Sequence, residues 1–163
     1  MKRYLITSAL PYASGVTHLG NVVGSTLPAD IYARFCRLRG RQTLYVCGSD
    51  EHGVAITIAA DKEGISPREL IDRYHGLNAK ALDSIGIAFD IYDRTSNPIH
   101  AETAREFFSV WGKKGLLVER EEDQFYDDEA QIFLPDRYVE GVCPNCGYDR
   151  ARGDQCDNCG AYY

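Results

Sequence analysis

Four cysteines near the end of the sequence have the spacing of a metal site. Cys143 and Cys146 form one CxxC pair, Cys156 and Cys159 form a second, and nine residues separate the pairs. The segments "CPNCG" and "CDNCG" nearly repeat each other, and each CxxCG turn can direct two thiolates at one point. Because the protein fills all four positions of a tetrahedron, the pattern predicts a structural Zn²⁺ site, with disulfides or unligated thiols as the alternative.

The segment "PYASGVTHLGN", residues 11–21, has the composition of a phosphate-binding turn. A helix entered through a glycine-containing turn offers backbone N–H groups to an anion. His18 and Asn21 are three residues apart, so in a first helical turn they share a face from which both can donate to phosphate oxygens. Gly20 would let a base or ribose approach the backbone closely. From spacing alone, a structural histidine is the alternative.

The predicted secondary structure places this segment and a second one, "GSDEHG", at the ends of strands. Residues 3–9 and "QTLYVCG" are typical of buried strands, and a helical pattern follows each. This alternation predicts an α/β fold with a doubly wound parallel sheet, in which ligands bind beyond the carboxyl ends of the strands. Asp50 and His52 therefore join the candidate site, although a capped helix start would also explain the aspartate.

The helix after the first segment is predicted to have an apolar face and a basic end. Gly40 ends it, Pro28 predicts a break in it, and its apolar positions are Leu27, Ile31, Phe35 and Leu38. The stretch "RFCRLRGR" adds four arginines close together: Arg34, Arg37, Arg39 and Arg41. Two interpretations stay open, a solvated helix end where cations suit the dipole and a local basic face for nucleic acid.

A second long helix is predicted to begin at "SPRE". Ser66 can cap it, Pro67 fits the first helical position, and Glu69 can close a capping box. Gly86 ends this helix, and its apolar stripe consists of Leu70, Tyr74, Leu77, Ala81, Leu82 and Ile85. A further helix is predicted over residues 101–113, followed by short strands between residues 116 and 139.

Composition limits the classes of protein that fit. The 163 residues are 44% hydrophobic, which is enough for a packed core, and their net charge of −6 argues against binding DNA by bulk charge. No apolar run has the ~20 residues of a membrane span. The opening "MKRYLITSAL" has a short, partly polar apolar run, unlike a signal peptide. We therefore expect a cytoplasmic protein, in which clustered cysteines indicate metal binding.

Four motifs in this order resemble the methionyl-tRNA synthetases, a family of class I aminoacyl-tRNA synthetases. "PYASGVTHLGN" resembles the HIGH signature in the form "ALPYA.G..HLG" typical of that family, and "LYVCGSDEHG", "QFYDDEAQIFLPDRYVEGVCPNCG" and "GDQCDNCG" follow. The resemblance covers residues 4–163. HLGN differs from HIGH at two positions, but it keeps His18 and Gly20, and Asn21 can still donate to phosphate.

The resemblance implies a ligase that makes methionyl-adenylate from methionine and ATP, with Mg²⁺ accompanying the ATP, and then transfers methionine to tRNA. His18, Gly20 and Asn21 would bind ATP, and His18 and Asn21 would stabilise the charge that develops on the α-phosphate. The methionine carboxylate itself attacks, so that catalysis consists of positioning and electrostatics.

The same resemblance implies the residues that hold methionine. Asp50 would bind the α-ammonium group, and Leu10 and Tyr12 would line one side of the pocket for the thioether side chain, which needs apolar contacts. It implies no role for His52.

The resemblance also divides the chain into two parts. Residues 1–115 correspond to the amino-terminal half of a Rossmann-like catalytic domain, and residues 116–163 to the start of an insertion with a zinc knuckle at 141–160. The KMSKS signature, the later strands and the anticodon-binding domain of the family do not occur in this sequence. We therefore expect an amino-terminal fragment that is weakly active or inactive by itself. The alternatives are a zinc-ribbon module that binds RNA or protein, with a degenerate nucleotide site, and another HxGH nucleotidyltransferase.

Overall fold

A computed structural model describes residues 2–121, 123–129 and 131–163, and the chain forms two compact units. The first unit extends to Lys114, and the second is Gly115–Tyr163. Among the described residues, no helix is both long enough and apolar enough to cross a membrane.

The first unit contains a parallel sheet of three strands in the order β1-β2-β3. The strands are β1 (Arg3–Thr7), β2 (Gln42–Ser49) and β3 (Ile91–Arg94), and Leu5 pairs with Leu44 while Val46 pairs with Ile91. The α/β fold with a parallel sheet is therefore confirmed. β3 was not predicted, because it has only four residues and two of them, Asp93 and Arg94, are charged.

Five α-helices accompany this sheet. They are α1 (Leu19–Asn21), α2 (Leu27–Leu38), α3 (Val54–Glu63), α4 (Pro67–Ser84) and α5 (Pro98–Lys113). A π-helical segment, Val22–Thr26, joins α1 to α2, so the irregularity predicted at Pro28 lies just before the proline, which cannot donate a helical hydrogen bond. α5 begins three residues earlier than predicted because Asn97 caps it, accepting from the Ile99 N–H at 2.9 Å.

Two apolar clusters hold the first unit together. The cluster against the sheet joins β1, α2, β2 and α4 through Ile6, Ala33, Tyr45, Leu82 and Ile87. The second cluster packs α3 against α4 through Ala13, Ile56, Ala60, Leu70 and Ile71. The predicted capping box at the start of α4 is confirmed: Ser66 Oγ accepts from the Glu69 N–H at 3.2 Å, and the Glu69 carboxylate accepts from the Ser66 N–H at 2.9 Å.

The apolar face predicted for α2 does not pack on the sheet. Leu27, Ile31, Phe35 and Leu38 are all exposed, and the buried residues of the helix are Asp30, Ala33 and Cys36. Small side chains at Ala33 and Cys36 allow close approach to the sheet. Asp30 is buried because its carboxylate accepts from the Ala88 N–H at 2.8 Å and pairs with Arg34. Leu77 and Ile85 of the stripe predicted for α4 are likewise exposed.

The second unit is built from short hairpins around the cysteines. β4 (Tyr126–Asp127) pairs antiparallel with β5 (Ile132–Phe133), and β6 (Glu140–Gly141) pairs antiparallel with β7 (Ala151–Arg152). A 3₁₀ turn, Asp136–Tyr138, precedes β6. The buried cluster of this unit consists of Cys143, Ala151 and Cys156, with Tyr148 packed against them.

Candidate functional site

The two signature segments are joined by backbone hydrogen bonds at the carboxyl edge of the sheet. The Asp50 N–H donates to the Pro11 carbonyl at 2.9 Å, and the Asp50 carbonyl accepts from the Ala13 N–H at 2.8 Å. Tyr12 and Asp50 therefore form a parallel bridge that extends the pairing of β1 with β2. Two residues predicted to contact the same substrate, 38 positions apart in sequence, thus lie side by side.

His18 and Asn21 cap the first helix reciprocally. The Asn21 N–H donates to His18 Nδ1, and the His18 N–H donates to Asn21 Oδ1, both at 3.3 Å. Because Nδ1 accepts, the neutral imidazole carries its proton on Nε2. The capping box thus engages the acceptor atom of each side chain and leaves the His18 Nε2–H and the Asn21 amide NH₂ as the donors with which either residue can bind an anion.

Gly20 makes room for the histidine ring. A Cβ at this position would lie 3.0 Å from both Cε1 and Nδ1 of His18. Any larger residue would therefore push the imidazole away from its place over the helix start. The structure thus gives a second reason for a glycine at position 20, the space that the His18 ring needs, beside the approach of a ligand expected from the sequence.

One of the residues proposed for the methionine pocket lines an apolar cavity at this edge. The cavity, of about 330 Å³, opens at the ends of β1, β2 and β3, and its lining, mostly apolar, includes Leu10, Val46, Cys47 and Ile99. Tyr12 and Asp50 are not among the described residues that line it. Leu10 and Tyr12 are both exposed.

A buried carboxylate, which the sequence analysis did not identify, lies between the two candidate residues of "SDEHG". The side chain of Glu51 is fully buried. It accepts from Ser49 Oγ at 2.8 Å, Arg94 Nε at 2.7 Å and Ser96 Oγ at 2.5 Å. Burial opposes its charged form, but these hydrogen bonds outweigh burial and hold the pKa of the Glu51 carboxyl below its usual value.

α4 contributes contacts to both segments. Asp72 accepts from Arg94 Nη2 at 2.6 Å, and His75 Nδ1 lies 2.7 Å from Ser49 Oγ. Asn78, which is fully buried, accepts from the Thr17 N–H at 2.7 Å and donates to the Gly15 carbonyl at 3.2 Å. The only sequence signal for these residues is polarity within a helical pattern, which does not distinguish them from surface positions.

His52, which had no assigned role, is exposed next to this network. Its N–H donates to Asp50 Oδ1 at 3.3 Å, and its Nε2 lies 3.3 Å from the Thr95 carbonyl oxygen. The Asp50 side chain therefore caps its own loop, as expected for an aspartate at a helix approach.

The arginines of "RFCRLRGR" mostly serve the fold. Arg34 binds Asp30 and the Gly86 carbonyl, Arg37 pairs with Asp90 at 2.7 Å, and Arg41 lies over the ring of Tyr4. These contacts favour the helix-end interpretation over a face for nucleic acid.

The four cysteines of the two CxxC pairs are brought together as predicted. Their Sγ atoms all lie within 4.8 Å of one another, with Cys143 and Cys159 3.8 Å apart and Cys146 and Cys156 3.7 Å apart. One cysteine of each pair is buried and the other is exposed. Four thiolates at these separations fit one tetrahedral metal ion and leave no position open for water.

Polar groups favour the charged form of Cys143 and Cys159, whereas burial raises the pKa of the Cys156 thiol. Asn145 Nδ2 donates to Cys159 Sγ at 3.5 Å and Asn158 Nδ2 donates to Cys146 Sγ at 3.6 Å, so each knuckle donates to a sulfur of the other. Burial opposes ionisation of Cys143, but hydrogen bonds from the Tyr163 hydroxyl and the Cys146 N–H lower the pKa of its thiol. The donor set thus suits a divalent cation.

Comparison with known proteins identifies relatives along the whole chain. Residues 4–163 match the family described as tRNA synthetases class I (M). The chain is 56% identical over 161 residues to the methionine–tRNA ligase of Chloroherpeton thalassium, covering 99% of the chain and 23% of that protein. It is 52% identical over 162 residues to the methionine–tRNA ligase of Chlamydia pneumoniae, covering 99% of the chain and 29% of that protein.

A solved structure shares the fold at lower sequence identity. The Mycobacterium tuberculosis methionyl-tRNA synthetase in complex with methionyl-adenylate superposes with a TM-score of 0.74 at 23% identity, over 93% of this chain and 31% of that one. The chain thus spans about a quarter of the length of the curated relatives that it matches.

Proposed function

Since this chain belongs to the class I (M) tRNA synthetase family, we propose that it forms part of a methionine–tRNA ligase. The observation that carries this proposal is the identity of 52–56% to methionine–tRNA ligases along the whole chain. The complete protein would activate methionine with ATP to methionyl-adenylate and then transfer methionine to tRNA, in the cytoplasm. The alternative hypothesis, a zinc-ribbon binding module, explains the cysteines of the second unit. It does not explain why the family match also covers the first unit.

In this proposal the capping box prepares His18 and Asn21 for ATP. The donors Nε2–H and Nδ2–H of these residues would bind phosphate oxygens of ATP and stabilise the negative charge that grows on the α-phosphate as the carboxylate attacks. Such donors are effective because they are oriented before the reaction begins. Gly20 would contribute by leaving the imidazole in place. Mg²⁺ would accompany the ATP as part of the substrate.

Asp50 and Tyr12 would bind the amino-acid end of methionine. The bridge between them brings a carboxylate for the α-ammonium group beside an aromatic ring. Leu10 would contact the thioether side chain from the apolar cavity at the same edge. Tyr12 and Asp50 would contact methionine from beside this cavity, since neither lines it.

The four cysteines would hold a structural zinc ion. Bound there, zinc would supply a tetrahedral cross-link that fixes the two knuckles, and the thiolates would take no part in the reaction. The donations from Asn145 and Asn158 offset the charge of the four thiolates and would help to retain the metal.

Methionine-dependent ATP–pyrophosphate exchange by the full-length protein tests the proposal. We expect His18→Ala to lower kcat by about 10²–10³-fold, the usual cost of removing one preorganised donor to a developing anion. Asp50→Asn should raise the KM for methionine, whereas Asp61→Asn, a change of an exposed carboxylate on α3, should have no effect. Exchange that depends on a different amino acid would contradict the substrate, and absence of exchange by the wild type would contradict the activity.

The same assay separates the enzyme from the binding module. The binding module predicts that His18→Ala leaves RNA affinity unchanged and that no amino acid supports exchange. The 163-residue chain by itself should activate methionine poorly or not at all, and a rate near that of the full-length protein would refute this expectation.

A further inference from the structure

We propose that α4 positions the two halves of this site through two separate sets of polar contacts, one for the loop that carries Asp50 and one for the turn that leads to His18. This inference rests on the proposed function. Of the side chains in the two sets, Glu51, Asp72, His75 and Asn78 do not line the apolar cavity at this edge, whereas Arg94 does. Both sets act by holding the loops, so that each set should govern a different substrate.

The first set fixes the loop that carries Asp50. The fully buried side chain of Glu51 binds Arg94 at 2.7 Å, and Arg94 in turn binds Asp72 of α4 at 2.6 Å. A second connection runs from His75 of α4 to Ser49 Oγ and from there to Glu51 Oε1, over 2.7 Å and 2.8 Å. The two oxygens of the Glu51 carboxylate are therefore connected to α4 by separate routes, one through Arg94 and one through Ser49.

The contacts of Glu51 would determine the direction of Asp50. The two residues are neighbours, and the backbone of Glu51 is itself held, because its N–H donates to Thr95 Oγ1 at 2.8 Å. A buried carboxylate that loses its charge partner or its hydrogen bonds has no water to replace them, so the loop would move with it. Small displacements of a substrate-binding group reduce affinity strongly.

The second set fixes the turn before His18. Asn78 uses both ends of its amide: Oδ1 accepts from the Thr17 N–H, and Nδ2 donates to the Gly15 carbonyl. The Asn78 side chain is fully buried and its two partners, Gly15 and Thr17, are half-buried, so removing the amide would break both bonds of the turn at once. Thr17 directly precedes His18, so these bonds set the point at which the capping box begins.

The two sets share one helix but no residue. Asp72, His75 and Asn78 follow one another at three-residue intervals along α4, the spacing of neighbours on a helix surface. Asp72 and His75 serve the first set and Asn78 serves the second. Loss of α4 would disturb both loops, but loss of one contact should disturb only one.

Steady-state kinetics of the full-length protein tests this separation. Glu51→Gln, which keeps the shape of the side chain and removes its charge, should raise the KM for methionine by roughly 10- to 100-fold and leave the KM for ATP unchanged. Asn78→Ala should raise the KM for ATP and leave the KM for methionine unchanged. Glu63→Gln is the matched control. It weakens the ion pair between Glu63 of α3 and Arg73 of α4, and neither residue belongs to either set.

Two milder variants keep the test decisive if either substitution prevents folding. Asp72→Asn removes the charge of the α4 partner that binds Arg94 Nη2 and leaves the Arg94–Glu51 pair in place, and its effect should again fall on methionine alone. Asn78→Ser keeps a small polar side chain that cannot serve the Thr17 N–H and the Gly15 carbonyl together, and its effect should again fall on ATP alone. Equal changes in both KM values, or none, would overturn the inference.

Amide hydrogen exchange separates this inference from the proposed function. Glu51→Gln should speed exchange in residues 48–53 and not in residues 13–18, and Asn78→Ala should do the reverse, whatever reaction the protein catalyses. If the variants show this pattern of amide hydrogen exchange but the wild-type protein does not catalyse methionine-dependent ATP–pyrophosphate exchange, the proposed function is wrong and the positioning role stands. If the wild type is active and both variants speed exchange in both loops, the positioning role is wrong and the function stands.

Discussion

The two units of this chain fill their interiors with different chemistry. The first, up to Lys114, buries aliphatic and aromatic side chains in two clusters that include Ile6, Tyr45, Leu70 and Leu82. The buried cluster of the second consists of two cysteines and one alanine with Tyr148 beside them, among the residues that the structure describes. Apolar burial stabilises the first unit, and if the cysteines bind a metal as proposed, we expect ligation to supply most of the stability of the second.

The two units also differ in what their polar side chains bind. In the first unit, the buried Glu51 binds Arg94 of β3, and the buried Asn78 binds the backbone of the turn before His18. In the second, the exposed Asn145 and Asn158 donate their amides to cysteine sulfurs. Polar side chains therefore bind charged and backbone groups of the fold in one unit and thiols in the other.

Removing the metal should be the largest perturbation, and it should affect the second unit alone. Metal binding contributes on the order of 10 kcal/mol in small zinc modules, so Cys156→Ser or a strong chelator should unfold residues 115–163. NMR spectra and zinc content measure this. Cys36→Ser, at a buried cysteine outside the cluster, should leave the zinc content unchanged. If the second unit keeps its fold without metal, metal binding is not its main source of stability.

A cavity in the first unit should have the next largest effect. Leu82→Ala removes a fully buried side chain and should lower the free energy of unfolding by about 2–5 kcal/mol in denaturant titrations. Leu77→Ala on the same helix, where the side chain is 44% exposed, should cost much less. Neither should change the zinc content, and a loss of zinc in either variant would show that the two units do not have separate sources of stability.

Loss of the cap of α4 should have a smaller effect. Ser66→Ala removes the acceptor for the Glu69 N–H and should lower the free energy of unfolding by about 1 kcal/mol. Ser84→Ala, at the other end of the same helix, removes a single exposed bond to the Ala81 carbonyl and is the control. Equal melting temperatures for Ser66→Ala and the wild type would contradict the cap's contribution.

The smallest expected effect is a pH dependence of the same capping box. Hydrogen bonds from the Ser66 side chain and backbone lower the pKa of the Glu69 carboxyl in the folded protein. Its contribution to stability is therefore present above the unfolded pKa of about 4.3 and is lost as pH falls through the folded pKa. The difference in stability between Glu69→Gln and the wild type should shrink as the pH is lowered from 6 toward that range. A difference that is independent of pH would contradict this assignment.

The sequence predicted those features whose chemistry depends on near neighbours. The CxxC pairs, the capping box at Ser66 and the two strands β1 and β2 follow from local spacing, and each is present in the structure. The His18–Asn21 pair also lies on one helical turn as expected, although its reciprocal hydrogen bonds and the place that Gly20 makes for the ring depend on atomic geometry.

Features that depend on distant partners were missed. β3 is recognisable only by its pairing with β2, since two apolar or aromatic residues are followed by two charged ones and no period of two is present. The sequence did not show which face of α2 packs on the sheet, because periodicity shows that a helix has an apolar face and not which element covers it. The buried Asp30 depends on an Ala88 N–H that lies 58 residues away.

By itself, the sequence determined the cysteine site, the α/β class and the two segments that could bind substrates, because each is encoded by residue types at fixed short spacing. Only the tertiary structure decided that Glu51 of "SDEHG" is buried while Asp50 is half-buried and caps the loop. Glu51 finds Arg94 43 residues away, and Asn78 reaches Thr17 across 61 residues. Burial of a charge or an amide is stable only where such partners meet it, and no local pattern records where they will be.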